Sequence, residues 1–224
     1  MGSRALAISV VCLLGCAVLS AADFWEEKDF TAWSDKDVEK MMTNSPWAKR
    51  VTVVFPRPPT ESGGRGGGRG GRGGGFGGGS PQARLIVRWQ SALPVRQAAV
   101  RAQIGSDGAV GPEAQAVLDQ NAPGYFVVVS GVPGQFGRLS SEALMVDARL
   151  ERKGAEPIRP VQAAAQREGR GVALAYVFPK DDAIVLADKD VEFVTKVGDT
   201  TIKRKFKLED MVYNDQLEDR KSVV

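Results

Sequence analysis

"DVEFVTKVGDTTIKRKF", residues 190–206, decides the class of this fold. Apolar and polar side chains alternate on both sides of Gly198-Asp199, the period of two that belongs to strands. A Gly-Asp pair between two such runs predicts a hairpin with a two-residue turn. In that register Val191 faces Phe206, Phe193 faces Arg204, Thr195 faces Ile202 and Val197 faces Thr200, so apolar groups collect on one side. On the other side Glu192 meets Lys205, a charge pair of suitable sign. Lys203, Arg204, Lys205 and Lys207 give the second strand a basic edge of the kind that discourages edge-to-edge pairing. One face of the hairpin is built for burial, and the rest of the chain must cover it.

Further strands lie upstream. "GVALAYVF" (171–178) is apolar enough for a central strand. "YFVVVSGV", starting at Tyr125, is a continuous apolar run of strand length, expected to be covered on both faces. Val51, Val53 and Phe55 alternate with Thr52 and Val54 before Pro56, Pro58 and Pro59; Leu85, Val87 and Trp89 alternate with Ile86 and Arg88. Between Trp89 and Tyr125 the pattern turns helical. Residues 93–103 place Val95, Ala98, Ala99 and Ala102 on one face, and a second helix from Pro112 to about Gln120 is expected to bury Ala114, Val117 and Leu118. Strand, two helices and strand form a path long enough for a right-handed parallel crossover. A short helix over Ser141–Met145 and a strand over 146–152 follow.

The N-terminal third carries the clearest helix. Ser34 is placed as an N-cap, Asp37 stands where a capping box puts its acid, and Trp33 and Val38 have hydrophobic-staple spacing. Val38, Met41, Met42 and Ser45 line one face, and Pro46 ends the element. Trp25, Trp33, Trp47 and Trp89 read as core and staple residues rather than a sugar-stacking platform. The expected fold is therefore α+β: a single mixed-sheet domain with an N-terminal helix, spanning 23–224.

Half of the 26 glycines fall in "SGGRGGGRGGRGGGFGGGS" (62–80), with Arg65, Arg69, Arg72 and Phe76 among them. The stretch sits between two strands, so residues 57–82 read as a disordered connecting loop with no apolar surface to repay ordering. Lengthening a four-residue connection to about 27 residues costs only roughly 1.7 kcal/mol of closure entropy. The arginine forks and Phe76 could contact a polyanion. Three arginines give a salt slope of only about −2 on single strands, and an exported chain does not meet RNA, so no nucleic-acid partner is expected.

Export follows from the first residues. Arg4, the apolar run Ala5 to Leu19 and the small residues Ser20-Ala21-Ala22 form a secretory leader cleaved after Ala22. Leu13-Leu14-Gly15-Cys16 offers the alternative of a lipoprotein acylated at Cys16. The apolar run is short for a bilayer span. The protein's two cysteines, Cys12 and Cys16, lie in the leader and histidine is absent, so Ser-His-Asp and Cys-His chemistry, the usual zinc sites and disulfides are all excluded. No cofactor and no metal are expected. With Arg4 removed, 29 basic residues face 27 acidic ones; without Arg65, Arg69 and Arg72 as well, 26 face 27. The folded part is near neutral.

Carboxylate pairs at Glu26-Glu27, Asp35/Asp37, Asp181-Asp182, Asp188/Asp190 and Glu209-Asp210 could in principle serve glycoside hydrolysis or calcium. Asp35 and Asp37 already have a capping role, and 179–183 reads as a turn, so no catalytic residue is assigned. "DKDVE" occurs twice, at 35–39 and 188–192, first at helical and then at strand period. "DFWEEKDFTAWSDKDVEKMMTNSPWAK" and "VEFVTKVGDTTIKRKFKLEDMVYNDQLE" resemble segments of exported proteins without assigned activity from soil bacteria of acidobacterial type. That resemblance implies export and a shared architecture and transfers no site. The functional expectation is a non-catalytic interaction or structural module of the cell envelope, with an envelope protein or polysaccharide as partner. A hydrolase using carboxylates without histidine or cysteine, and a nucleic-acid or polyanion binder acting through the Arg-Gly-Gly stretch, are the alternatives.

Overall fold

The structure, a computed structural model, describes residues 23–56, 82–105, 108–120 and 122–217. The leader, the lipoprotein box and the Gly/Arg stretch lie outside the described residues. Among the described residues there are five α-helices and ten strands, an α+β architecture.

The hairpin at 190–206 forms in the expected register. β7 (Asp190–Val197) and β8 (Thr200–Lys207) pair antiparallel, with Val191 opposite Phe206, Phe193 opposite Arg204 and Val197 opposite Thr200. Gly198 has φ 58°, and a Cβ there would lie 3.0 Å from the Phe136 ring. Glycine thus meets both the backbone and the packing requirement of the turn. Glu192 stands opposite Lys205, but the ammonium reaches diagonally to Asp190 at 3.7 Å. β4 (Arg149–Arg152) completes this sheet in the order β4-β7-β8, leaving β8 and its lysines at an edge.

The cover for the hairpin is a second sheet. It contains β1 (Ala48–Val54), β2 (Gln82–Trp89), β3 (Gly124–Pro133), β5 (Gln162–Glu168) and β6 (Gly171–Pro179), in the order β1-β2-β3-β6-β5. The strands expected as one sheet divide between two because each has one strongly apolar face, and two such faces bury one another. Trp89 meets Phe206 edge-on at 5.6 Å, and Tyr176 and Phe178 lie 5.4 and 6.2 Å from Phe193. Fully burying rings of this size stabilises by about 2–3 kcal/mol each. Inside the interface the Tyr176 hydroxyl and Thr195 Oγ1 are 3.0 Å apart. Burial pushes the Tyr176 phenol up to about 12, with the Thr195 bond opposing it. β3 is central as expected, yet only one of its faces is closed: Phe126 and Val128 on the other are half-buried.

The parallel crossover does not occur. β2 and β3 are antiparallel neighbours, with Trp89 opposite Val127. The intervening α3 (Leu93–Ile104) and α4 (Pro112–Asp119) do not cross the sheet face. α3 packs chiefly on α2 (Asp35–Thr43) and on α4, so the chain re-enters the sheet at the end it left. The buried residues of α3 are Pro94, Val95, Ala98, Val100 and Arg101, with Ala102 exposed, and Val117 of α4 is 49% exposed rather than buried. Arg101 displaces Ala102 because its guanidinium folds back onto the Gly105 carbonyl at the helix end.

α2 has the capping box: the Ser34 hydroxyl accepts from the Asp37 N–H at 3.3 Å, and the Asp37 carboxylate accepts from the Ser34 N–H at 3.0 Å. Met41 is buried on its inner face, and Ser45, just past its end, is buried with its hydroxyl donating to the Met41 carbonyl at 2.7 Å. All four tryptophans are buried. Edge-on contacts run from Trp25, in α1 (Phe24–Glu27), to Trp47 at 5.7 Å and on to Tyr213 at 6.2 Å. Tyr213 belongs to β9 (Val212–Tyr213), which pairs with β10 (Gln216–Leu217). This aromatic run ties the N-terminal helices to the last described strands.

Candidate functional site

Of the carboxylates singled out in the sequence, Asp37, Asp182, Asp188, Asp190 and Glu209 have basic partners in the structure. Asp37 serves the cap and stands 3.5 Å from Lys28; burial raises its pKa, and the Ser34 bonds and Lys28 overcome this to leave it below the usual carboxylate value. Asp181-Asp182 lies in the connection between β6 and β7, where Asp182 pairs with the guanidinium of Arg152. Asp188 stands 3.6 Å from the same guanidinium and accepts from the Val185 N–H at 3.0 Å. Burial pushes the Arg152 pKa down, but the bond and charge of Asp182, with the charge of Asp188, raise it overall. Arg152 thus clips this connection to β4, and Tyr125 helps by accepting from the buried Ile184 N–H at 2.9 Å. Glu26, Glu27, Glu209 and Asp210 are exposed. Among the described residues no three carboxylates come together as a metal site would require, and no helix is long and apolar enough to cross a membrane.

Concave surface lies elsewhere. A cleft of about 470 Å³ opens between α3 and α4, with Ala99, Val100, Ile104, Ala114 and Val117 as walls and Gln90, Arg96, Gln103 and Glu113 as its polar groups. Arg96 fixes its shape. One guanidinium nitrogen donates to the carbonyls of Val117, Leu118 and Gln120 at 3.0, 3.1 and 2.7 Å, closing the C-terminal end of α4 where the helix dipole favours a cation. Apolar walls with a few converging polar groups are the usual form of a ligand pocket. Glu113 is the one carboxylate among the lining residues, so the paired carboxylates of glycoside hydrolysis are not assembled there.

A second concavity, of about 380 Å³, is lined by Gly134, Gly137, Arg138, Arg167, Gly169, Arg170, Gly171 and Val172. Its chemistry is cationic. The residues assigned to polyanion contact from sequence, Arg65, Arg69, Arg72 and Phe76, lie outside the described residues. Sequence reading passed over both clefts. For the first, the exposed Val117 on a helix with Leu118 buried was the available signal; for the second it was "REGRG" at 167–171, whose third arginine, Arg138, comes from a different connection. No family model matches this chain, and no curated protein or solved structure was found similar to it.

Proposed function

We propose that this chain is an exported, non-catalytic binding module of the bacterial cell envelope, related to the acidobacterial-type exported proteins it resembles, and that the cleft between α3 and α4 receives its partner. One observation carries the reading: the carboxylates that are polarised or paired with arginine serve caps and the Arg152 clip, while the apolar-walled concavity between α3 and α4 has polar groups suited to recognition. Export rests on the leader at residues 1–22, and the absence of cysteine after Cys16 suits a chain that folds on its apolar core outside the cell. The partner expected is an envelope protein or a polysaccharide segment with an apolar face.

The lack of cysteine makes the test clean. A chain starting at Asp23 and carrying Val117→Cys takes a single polarity-sensitive dye at the rim of the cleft. Titration with fractionated envelope polysaccharide and envelope protein should shift its emission saturably, with excess unlabelled chain reversing the shift. A silent dye, together with turnover of glycoside or ester substrates by the unmodified chain, would replace this reading with the hydrolase.

A further inference from the structure

We infer that Arg138, Arg167 and Arg170 form an oxyanion site at one end of the sandwich, for a ligand carrying two or more adjacent phosphoryl groups. The site is separate from the α3–α4 cleft, so it extends the binding-module reading and can fail independently of it.

Strand register builds this end. Val54 pairs with Gln82, Ile86 with Ser130, Pro133 with Gly171 and Glu168 with Gly171. The last residues of β1, β3 and β5 and the first of β2 and β6 therefore lie together. From here leave the turn after β3, carrying Arg138, and the β5–β6 turn, carrying Arg170 next to Arg167. Backbone forms much of the wall between them. Gly171 faces Val132 so closely that a Cβ would lie 2.8 Å from its carbonyl oxygen, and Gly134, Gly137 and Gly169 add further bare main chain. A ligand can approach this surface meeting few side chains other than the arginines and Val172.

Charge makes the case stronger. All three arginines are exposed, and none has an ion-pair partner among the described residues. Glu168 lies between Arg167 and Arg170 in sequence, but alternation sends it to the opposite face of β5, where it accepts from the Ser130 hydroxyl at 3.3 Å. No carboxylate lines the cleft. Three guanidinium groups around one concavity repel each other until an anion enters. A pyrophosphoryl group, with a charge of about −3 near neutral pH, balances them, and its oxygens suit the two-pronged geometry of arginine. The cleft volume exceeds the needs of a single phosphate.

The test is calorimetric titration of the chain from Asp23 with inorganic pyrophosphate, alongside inorganic phosphate, citrate and phosphatidylglycerol vesicles. Saturable binding of one pyrophosphate per chain is expected, with phosphate and citrate each about tenfold weaker. Arg167→Gln with Arg170→Gln, and separately Arg138→Gln, should each weaken pyrophosphate at least about tenfold, as loss of charge-assisted bonds implies. Because the three side chains are exposed and unpaired, Tm should hold within about 2 °C in each variant. Deleting 62–80 should leave pyrophosphate affinity within about twofold. The site is overturned by an absence of saturable heat, by unchanged affinity in the double variant, or by citrate matching pyrophosphate. It is equally overturned by loss of binding on deleting 62–80, or by vesicle binding without pyrophosphate binding. None of these outcomes touches the dye at position 117.

Discussion

Replacing Arg152 with methionine tests how the chain holds the connection between β6 and β7. The Arg152 side chain is 3% exposed and meets two carboxylates, Asp182 at 67% and Asp188 at 16% exposure. Removing one partner of a fully buried ion pair costs about 3–5 kcal/mol, because the other charge is left stranded. Here that cost divides unequally. Asp182 opens to solvent, which screens it, so its share falls to about 0–1 kcal/mol. Asp188 is the charge that suffers, although it keeps the Val185 N–H at 3.0 Å. A methionine fills most of the vacated volume, so little cavity cost is added. The expected loss for Arg152→Met is therefore about 2–3 kcal/mol. For a chain of this size that corresponds to a Tm roughly 5–10 °C lower. Urea unfolding monitored by tryptophan fluorescence reads it directly, since all four tryptophans are buried. Asp182→Asn should cost less than about 1 kcal/mol, and Asp188→Asn more than Asp182→Asn. A loss under about 0.5 kcal/mol for Arg152→Met, or a larger cost at Asp182 than at Asp188, would refute the division of burial on which the figure rests.

Tyr176→Phe removes the hydroxyl facing Thr195, which is fully buried; the stranded Thr195 group should cost about 1–2 kcal/mol, and adding Thr195→Val should recover part of it in a double-mutant cycle. Because the folded-state pKa of Tyr176 is raised to about 12, the stability tied to its neutral phenol is complete below the ordinary value of 10.0 and is lost as pH rises towards 12. Ultraviolet titration should show one phenol ionising last, and Tyr176→Phe should abolish that step. Asp37 and Asp29 are lowered: for Asp29 the Thr31 hydroxyl and N–H are the cause, and for Asp37 the Ser34 bonds and Lys28 outweigh burial. Both contribute stability that is present above pH 3.8 and lost as pH falls below it. Ser34→Ala should cost about 1 kcal/mol at neutral pH and flatten the acid limb of the stability curve; an unaltered limb would remove the cap from the account. Mass spectrometry of the chain recovered from its native host should find Asp23 at the N-terminus. An intact Met1 in the cytosol would end the export reading.

Several elements could be read from local sequence because the forces that make them are local. The Ser34–Asp37 cap lies within one helical turn, and the β7–β8 register follows from alternation around a glycine turn whose ends are adjacent in the chain. What could not be read depended on partners far away. Whether β2 and β3 run parallel depended on where α3 and α4 found packing: α3 found it on α2, and α4 on α3. β5 was not foreseen, since "QAAAQRE" carries little strand character and is held in place by β6. Val117 lies on the apolar stripe of α4, but that stripe faces a cleft instead of the core. The arginine site was the least accessible of all, because Arg138 meets Arg167 and Arg170 only once five strand ends are gathered.

The repeated pentapeptide shows the division most clearly. "DKDVE" at 35–39 begins a helix, since Ser34 caps it and Met41 and Met42 continue the 3.6-residue period. At 188–192 the same five residues leave a short 3-10 turn through Lys189 at φ 64° and enter β7 between β4 and β8. Sequence alone determined the pattern of apolar faces, the caps, the tight turn and the chemistries that lack of histidine rules out. Tertiary structure decided which faces meet, because burial is shared between segments and no single segment carries the information about its partner.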